Sequence, residues 1–206
     1  MALSTFVKIS GVTNLSDARY CAGMFVDLLG FDLQETSDKF VSPTQFQEIS
    51  GWVSGVDFCG EFGNDSLETL QEKLKKYPEI SWIQHKKLET LLQFDTEKYQ
   101  LIFQADLSEV RHIEEELAEK ISNQNLHLLL SVDQTELNTD QKESIRSISK
   151  NAKVILAGGI SPFNVKSTVS ELELFGIALE GGEEIKPGLK DFDTLAEILE
   201  ELELED

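Results

Sequence analysis

The sequence has 206 residues, a mass of 23.1 kDa and a formal net charge of −20, from 38 acidic and 18 basic residues. This length favours one folded domain, and a surface so acidic argues against binding to nucleic acid or to anionic membranes. The two cysteines, Cys21 and Cys59, are too few for a disulfide scaffold and lack metal-ligand spacing. We therefore expect a reducing compartment and no metal site.

Neither a targeting segment nor a membrane span is predicted. The N-terminal residues contain no apolar core followed by a small-residue cleavage pattern. The longest apolar runs, at 128–130 and 154–157, fall far short of the roughly 20 residues that a membrane helix needs. The expected location is the cytoplasm.

Short apolar runs alternate with longer helical patterns along the whole chain. The runs are 6–10, 26–31, 53–58, 80–84, 101–104, 126–130, 154–157 and 176–179. Because most of them are apolar on both faces, they favour parallel strands that helices cover. Helix starts are predicted at Ser42, at Asp65, at Ser161 with Pro162, and at Asp193, from their capping signatures.

Eight such alternations predict a single (β/α)8 TIM barrel over residues 1–206, because each parallel strand must return to the same sheet by a right-handed crossover. A doubly wound open sheet is the alternative. It is disfavoured because no G-x-G-x-x-G motif follows the first strand.

Two glycine pairs follow the last two predicted strands, at Gly158 and Gly159 and at Gly181 and Gly182. Barrels of this kind often bind phosphate there, because glycine lets backbone N–H groups approach an anion. The helix expected after Pro162 would add its positive end. We expect these turns to bind phosphate or a small phosphorylated sugar, the alternative being that they only form tight turns.

The first strand carries Lys8 and Ser10, which share one face because they are two residues apart. A lysine that points into a barrel is unusual unless it meets an anion or a carboxylate. The alternative is a lysine that reaches water from the start of the strand.

Five motifs occur in the order and spacing of one enzyme family. They are KISGVTN (8–14), VSP (41–43), QH (84–85), LAGGI (156–160) with Asn164, and PGLKD (187–191). Over nearly its whole length the chain therefore resembles phosphoribosylanthranilate isomerase, a family of tryptophan biosynthesis. The resemblance implies an Amadori rearrangement of a phosphoribosylated aromatic amine, no cofactor, and a monomer or homodimer.

The same resemblance implies roles for particular residues. Ser10 stands where the family has its cysteine base, and Lys39 stands where it has an arginine. The aspartate acid falls on Ser131 when residues are counted without a gap, or on Asp133 after a shift of two. His85 matches a family histidine, so Lys8, Lys39 and His85 are expected to bind substrate. The family's substrate-covering loop is missing.

Three functions remain open. The first is an isomerase with Asp133 as acid and an altered base at or near Ser10, the second a different sugar-phosphate enzyme, and the third a non-catalytic relative that binds a ligand or partner. Because a serine hydroxyl is far less acidic than a thiol, we expect isomerase activity to be absent or severely weakened. The chain is thus a candidate pseudoenzyme.

Overall fold

Eight parallel strands close into a barrel, each paired with the next along the chain and the eighth with the first. The computed structural model describes residues 2–110, 121, 126–181, 183–186 and 189–204. The barrel strands are β1 (Phe6–Ser10), β2 (Leu28–Asp32), β3 (Asp57–Glu61), β4 (Trp82–His85), β5 (Gln100–Asp106), β6 (His127–Ser131), β7 (Lys153–Ala157) and β8 (Gly176–Glu180). The predicted (β/α)8 architecture is confirmed. An antiparallel hairpin that the sequence did not predict, β9 (Glu183–Lys186) and β10 (Leu189–Asp191), follows β8.

Helices follow the strands around the outside of the barrel. Those in the described part of the chain are α1 (Leu15–Gly23), α2 (Pro43–Ser50), α3 (Leu67–Leu74), α4 (Leu88–Leu91), α5 (Leu107–Val110), α6 (Thr139–Ser149), α7 (Val165–Glu171) and α8 (Asp193–Leu202). The predicted start of α2 is confirmed, since Ser42 accepts from the N–H of Gln45 and the Gln45 side chain accepts from the N–H of Ser42. This reciprocal pair satisfies two N–H groups that the helix itself leaves without partners.

Two helix starts differ from the prediction by one residue. Ser66, rather than Asp65, caps α3, because its hydroxyl accepts from the N–H of Thr69. Asp193 is the first residue of α8 and follows the N-cap Phe192. As an acidic residue in the first turn, Asp193 still complements the helix dipole.

The third strand lies several residues later than predicted. The apolar run at 53–58 is interrupted by Gly55, whose φ of +80° lies in the left-handed region and ends an extended chain. The strand instead runs over Asp57–Glu61, and Glu61 pairs in register with Asp32 of β2. This shift matters for function, because it makes Glu61 the last residue of an inward-facing row.

Two apolar layers hold the barrel together. Between strands and helices lies a large buried cluster to which Val7, Ile9 and Leu156 belong. Inside the barrel lies a smaller one, made of one residue from each of seven strands: Leu28, Cys59, Trp82, Ile102, Leu129, Ile155 and Ala178. Alternate residues of each strand therefore face the barrel axis, and these rows continue toward the carboxyl ends of the strands.

An aromatic plug closes the amino-terminal end of the barrel. It consists of Phe6, Trp82, His127 and Phe175, with neighbouring ring centroids 4.8–5.4 Å apart. Burial, assisted by the positive charge of Lys153, lowers the pKa of His127 to about 4. The histidine is therefore neutral at pH 7, and the open end of the barrel is the opposite one.

Candidate active site

A cavity of about 580 Å³ opens at the carboxyl ends of the strands, the end where (β/α)8 barrels place their sites. Its floor takes one residue from each strand: Ser10, Asp32, Glu61, Gln84, Gln104, Ser131, Ala157 and Glu180. Seven of these eight side chains are polar, although the layer directly beneath is apolar apart from Lys8. The fold thus puts a polar surface on an apolar support.

Lys8 lies just below this floor and is completely buried. Its ammonium donates hydrogen bonds to the hydroxyl of Ser10, 2.7 Å away, and to the carboxylate of Glu61. The expected inward orientation of Lys8 toward a carboxylate is confirmed. A buried ammonium requires such a partner, because an unpaired charge away from water is very unfavourable.

Gly30 makes room for this ion pair. A methyl group at Gly30 would overlap the carboxylate of Glu61 and lie 2.7 Å from Lys8 Nζ. The absence of a side chain in the middle of β2 thereby lets a lysine from β1 reach a glutamate from β3. The register of Glu61 with Asp32 is what assigns it to the floor.

A second ion pair lies at the rim of the cavity. Lys39 Nζ donates to Glu180 Oε2 over 3.0 Å, and both side chains are exposed. The hydrogen bond and charge of Glu180 raise the pKa of Lys39. The stem of Lys39 lies over Gly11, where an added Cβ would approach its Cδ to 3.3 Å. This ion pair thus links Lys39, in the loop after β2, to the end of β8.

Both candidates for the acid position lie at the cavity. Ser131 is the last residue of β6, pairs in register with Ala157, and directs its hydroxyl to the carbonyl of Ala105, 3.3 Å away. Asp133 comes two residues later in the following loop, is exposed, and lines the cavity mouth. The strand end therefore holds a serine, and the carboxylate lies farther out.

The turn after β7 has the backbone shape expected of its glycines but not the predicted helix. Gly158 and Gly159 have φ values of +102° and +68°, and a side chain at Gly158 would overlap the carbonyl oxygen of Val132. The helix begins at Val165 rather than at Pro162. The reason is that Asn164 accepts from the N–H of Ser161 and donates to the carbonyl of Gly159, which holds the intervening residues in a turn.

The turn after β8 is only partly described. The N–H of Gly181 points to the carbonyl oxygen of Ser10, 3.4 Å away. Gly182 lies outside the described residues. Glu180, immediately before this pair, puts a carboxylate beside the place where a phosphate was expected.

His85 does not line the cavity, contrary to the expectation of a substrate contact. It is completely buried, and its neighbour Gln84 is the residue of β4 that faces the barrel axis. Its Nδ1 accepts from the N–H of Lys87, 2.9 Å away, and its Nε2 lies 3.0 Å from the carbonyl oxygen of Asp65. The imidazole therefore joins two loops and has no nitrogen left for a ligand.

Neither cysteine can replace a thiol at position 10. Cys21 is buried in α1, outside the strands. Cys59 lies in the apolar layer inside the barrel, and burial raises its pKa to about 12, beyond what the nearby charge of Lys8 offsets. A thiol held protonated in this way is a poor base and a poor nucleophile.

Three polar floor residues that lie neither in a matched motif nor beside a glycine pair escaped sequence reasoning as site residues: Asp32, Glu61 and Gln104. The signal that identifies them is alternation, since each lies two residues beyond an inward-facing position of its strand, Gly30, Cys59 and Ile102 respectively. That signal becomes usable only once the strand register is known.

A closed parallel barrel with a polar cavity at the carboxyl ends of its strands defines the (β/α)8 class of proteins that act on small molecules at this end. The model of one family, N-(5'-phosphoribosyl)anthranilate (PRA) isomerase, matches residues 7–201. The chain therefore belongs to the PRA isomerase family, and the resemblance read from its motifs is confirmed. No described helix has the length and apolar character needed to cross a membrane.

Several proteins to which this chain is similar are PRA isomerases. The N-(5'-phosphoribosyl)anthranilate isomerase of Thermotoga neapolitana is 27% identical over 201 residues, covering 94% of this chain and 96% of the relative. That of Microcystis aeruginosa is 28% identical over 207 residues, covering 96% and 97%. The crystal structure of the Thermotoga maritima enzyme gives a TM-score of 0.77 at 24% identity over 96% of this chain and 98% of that one. A crystal structure of a phosphoribosyl anthranilate isomerase in complex with reduced 1-(o-carboxyphenylamino)-1-deoxyribulose 5-phosphate gives a TM-score of 0.73 at 24% identity over the same shares.

Proposed function

We propose that this protein is a PRA isomerase-like barrel in which isomerase catalysis is impaired and the cavity is retained as a site for a small polar ligand. One observation carries the proposal. The hydroxyl of Ser10, at the position of the family's base, accepts a hydrogen bond from an ammonium group that is itself paired with a carboxylate.

This arrangement leaves Ser10 without a route to act as a base. A serine becomes a base or a nucleophile only when a neighbour takes its proton. The ammonium of Lys8 has no lone pair with which to do so, and it is paired with the carboxylate of Glu61. The Ser10 hydroxyl can instead donate its own proton to a bound ligand.

The acid position supports the same conclusion. The hydroxyl of Ser131 is far less acidic than a carboxylic acid, and it is directed to a backbone carbonyl. Asp133 is exposed in the loop that follows, two residues beyond the end of β6. Its position at the mouth is more suitable for contact with a ligand than for protonation of one.

The predicted phosphate site is weakened by its surroundings. The Ser161 N–H is bonded to Asn164, the N–H of Gly181 points at Ser10, and Glu180 adds a negative charge. We propose that a ligand of this protein is not held mainly through a phosphate at these turns. The glycines Gly158 and Gly159 then act chiefly in shaping the turn.

The test is an isomerase assay on the purified protein and on three variants. Wild type should convert phosphoribosylanthranilate at a rate reduced by roughly 10²-fold or more, the contribution typical of a general base. Ser10→Cys restores the thiol, Ser131→Asp restores a carboxyl at the end of β6, and the double variant should be the most active. Ser131→Asn, of similar size but without an acidic proton, is the matched control and should give no gain.

Two results would overturn the proposal. Turnover by the unmodified protein at about 1 s⁻¹ or more would mean that another residue is an effective base. A Ser10→Cys variant that retains the fold by circular dichroism but gains nothing, even with Ser131→Asp, would mean that the defect does not lie at these two positions.

A further inference from the structure

Negative charge predominates over positive charge among the described residues that line the cavity. Among the described residues, four carboxylates face it, those of Asp32, Glu61, Asp133 and Glu180, against the one ammonium of Lys86. We propose that the cavity binds a polyhydroxylated small molecule that carries a protonated amine, an amino sugar being the simplest example. The inference rests on the proposed ligand cavity but not on the loss of isomerase activity.

Two of the positive charges nearest the cavity are already paired with carboxylates. Lys8 is buried and paired with Glu61, and Lys39 is paired with Glu180 at 3.0 Å. An incoming phosphate or carboxylate would meet only Lys86 among the described residues, unless it displaced one of these glutamates from its lysine. An incoming ammonium can instead approach the carboxylate oxygens from the side that faces the cavity. Opposite charges attract and like charges repel most strongly in a partly closed site such as this one.

Asp133 is the carboxylate best placed to select a cation. Within the described residues it makes neither an ion pair nor a hydrogen bond, whereas Asp32 accepts from both nitrogens of Gln34, at 2.9 and 3.1 Å. Asp133 lies in the loop after β6, at the mouth of the main cavity. A ligand ammonium there would acquire a partner without breaking an existing pair.

An independent observation on the floor points to a ligand with hydrogen-bond donors. Gln84 is 6% exposed, lines the cavity, and donates from Nε2 to Oε1 of Gln104 over 2.9 Å. Among the described residues, no group donates to the buried Oε1 of Gln84. A buried carbonyl oxygen normally has a donor, so this atom is suited to accept from a hydroxyl or amine of a bound molecule.

The remaining floor groups match a polyol. Ser10 accepts from Lys8 and has its own hydroxyl proton left to donate, and Gln104 uses its oxygen for Gln84 and has its amide N–H groups left. In the described part of the chain, no three His, Cys, Asp or Glu side chains are arranged to hold a metal ion. The geometry is therefore suited to an organic cation with hydroxyl groups rather than to a metal.

Three probes with one carbon skeleton separate charge from shape: glucosamine, glucose and glucose 6-phosphate. Titration calorimetry at mildly acidic pH, where the amine is protonated, should rank their affinities in that order. Removing one charge at the mouth with Asp133→Asn should weaken glucosamine binding by roughly three- to tenfold, the effect of one partly solvated charge pair. Glucose binding should hardly change.

The matched control is Glu136→Gln, which removes the same charge from the same exposed loop but from a residue that does not line the cavity. It should leave all three affinities unchanged. Gln84→Met, which removes the buried acceptor, should weaken glucosamine and glucose alike.

The proposal is overturned if glucose 6-phosphate binds most tightly, if Glu136→Gln acts as strongly as Asp133→Asn, or if none of the three sugars binds at tens of millimolar. The isomerase assay measures turnover rather than these affinities, so this proposal can fail while the proposed loss of isomerase activity stands. Tight binding of the phosphate would favour a second sugar-phosphate reaction in the same cavity.

Discussion

The buried histidine of the aromatic plug predicts a specific loss of stability in mild acid. His127 is 2% exposed, and its pKa falls from 6.5 to about 4 on folding because burial penalises the charged form. The unfolded chain therefore binds a proton at pH values where the folded chain does not. Stability from this residue is complete above pH 6.5 and is lost as the pH falls toward 4.

The size of this effect follows from the two pKa values. The full difference is worth about 3 kcal/mol, and about 2 kcal/mol of it has been lost at pH 5 relative to pH 7.5. The perturbation is His127→Phe, which keeps an aromatic ring against Phe6, Trp82 and Phe175 but cannot titrate. Carboxylates contribute their own pH dependence equally to both proteins, so the difference between them isolates the histidine.

The assay is urea unfolding followed by circular dichroism at pH 7.5 and pH 5. The wild type should lose about 2 kcal/mol more than His127→Phe over this interval. Phe6→Leu perturbs the same plug without removing a titrating group and should keep the wild-type pH dependence. If His127→Phe loses as much stability as the wild type, the histidine is not held neutral by burial and the reasoning is refuted.

Two further predictions concern the β7–α7 turn and the free thiols. Gly158→Ala should lower the free energy of unfolding by roughly 3 kcal/mol, because alanine is strained at a φ of +102° and would meet a backbone carbonyl. Gly23→Ala, whose added Cβ meets nothing within 4 Å, should cost almost nothing, and equal losses in urea would contradict this explanation. Cys59, whose pKa is raised to about 12 by burial, should resist Ellman's reagent at pH 8 until the protein is unfolded; rapid labelling of the native protein at this residue would show that it is not sealed inside the barrel.

Interactions between residues close together in the sequence determined the order of strands and helices. The capping residues of α2 appear in the sequence as Ser42 and Gln45, and their hydrogen bonds form between residues three apart. The apolar stripe of α8, from Leu195 to Leu202, is likewise set by a period of 3.6 residues. Strong alternation of such local signals is sufficient to predict a (β/α)8 barrel.

Strand register, in contrast, depends on pairing between segments far apart in the chain. The orientation of His85 away from the cavity and of Gln84 into it depends on which face of β4 meets the barrel axis. A slip of one residue would exchange the two. The motif QH at 84–85 therefore indicated a site at this strand end but not which of its residues would face the ligand.

The chemistry of the floor was decided only by closure of the barrel. The sequence placed Lys8 and Ser10 on one face, but Glu61 became their partner because β3 is shifted and Gly30 leaves space between the two strands. Ion pairs of this kind join residues more than fifty positions apart, and no local pattern encodes them. Sequence alone thus determined that this chain forms a barrel of the PRA isomerase family, and tertiary packing determined which charges meet inside it.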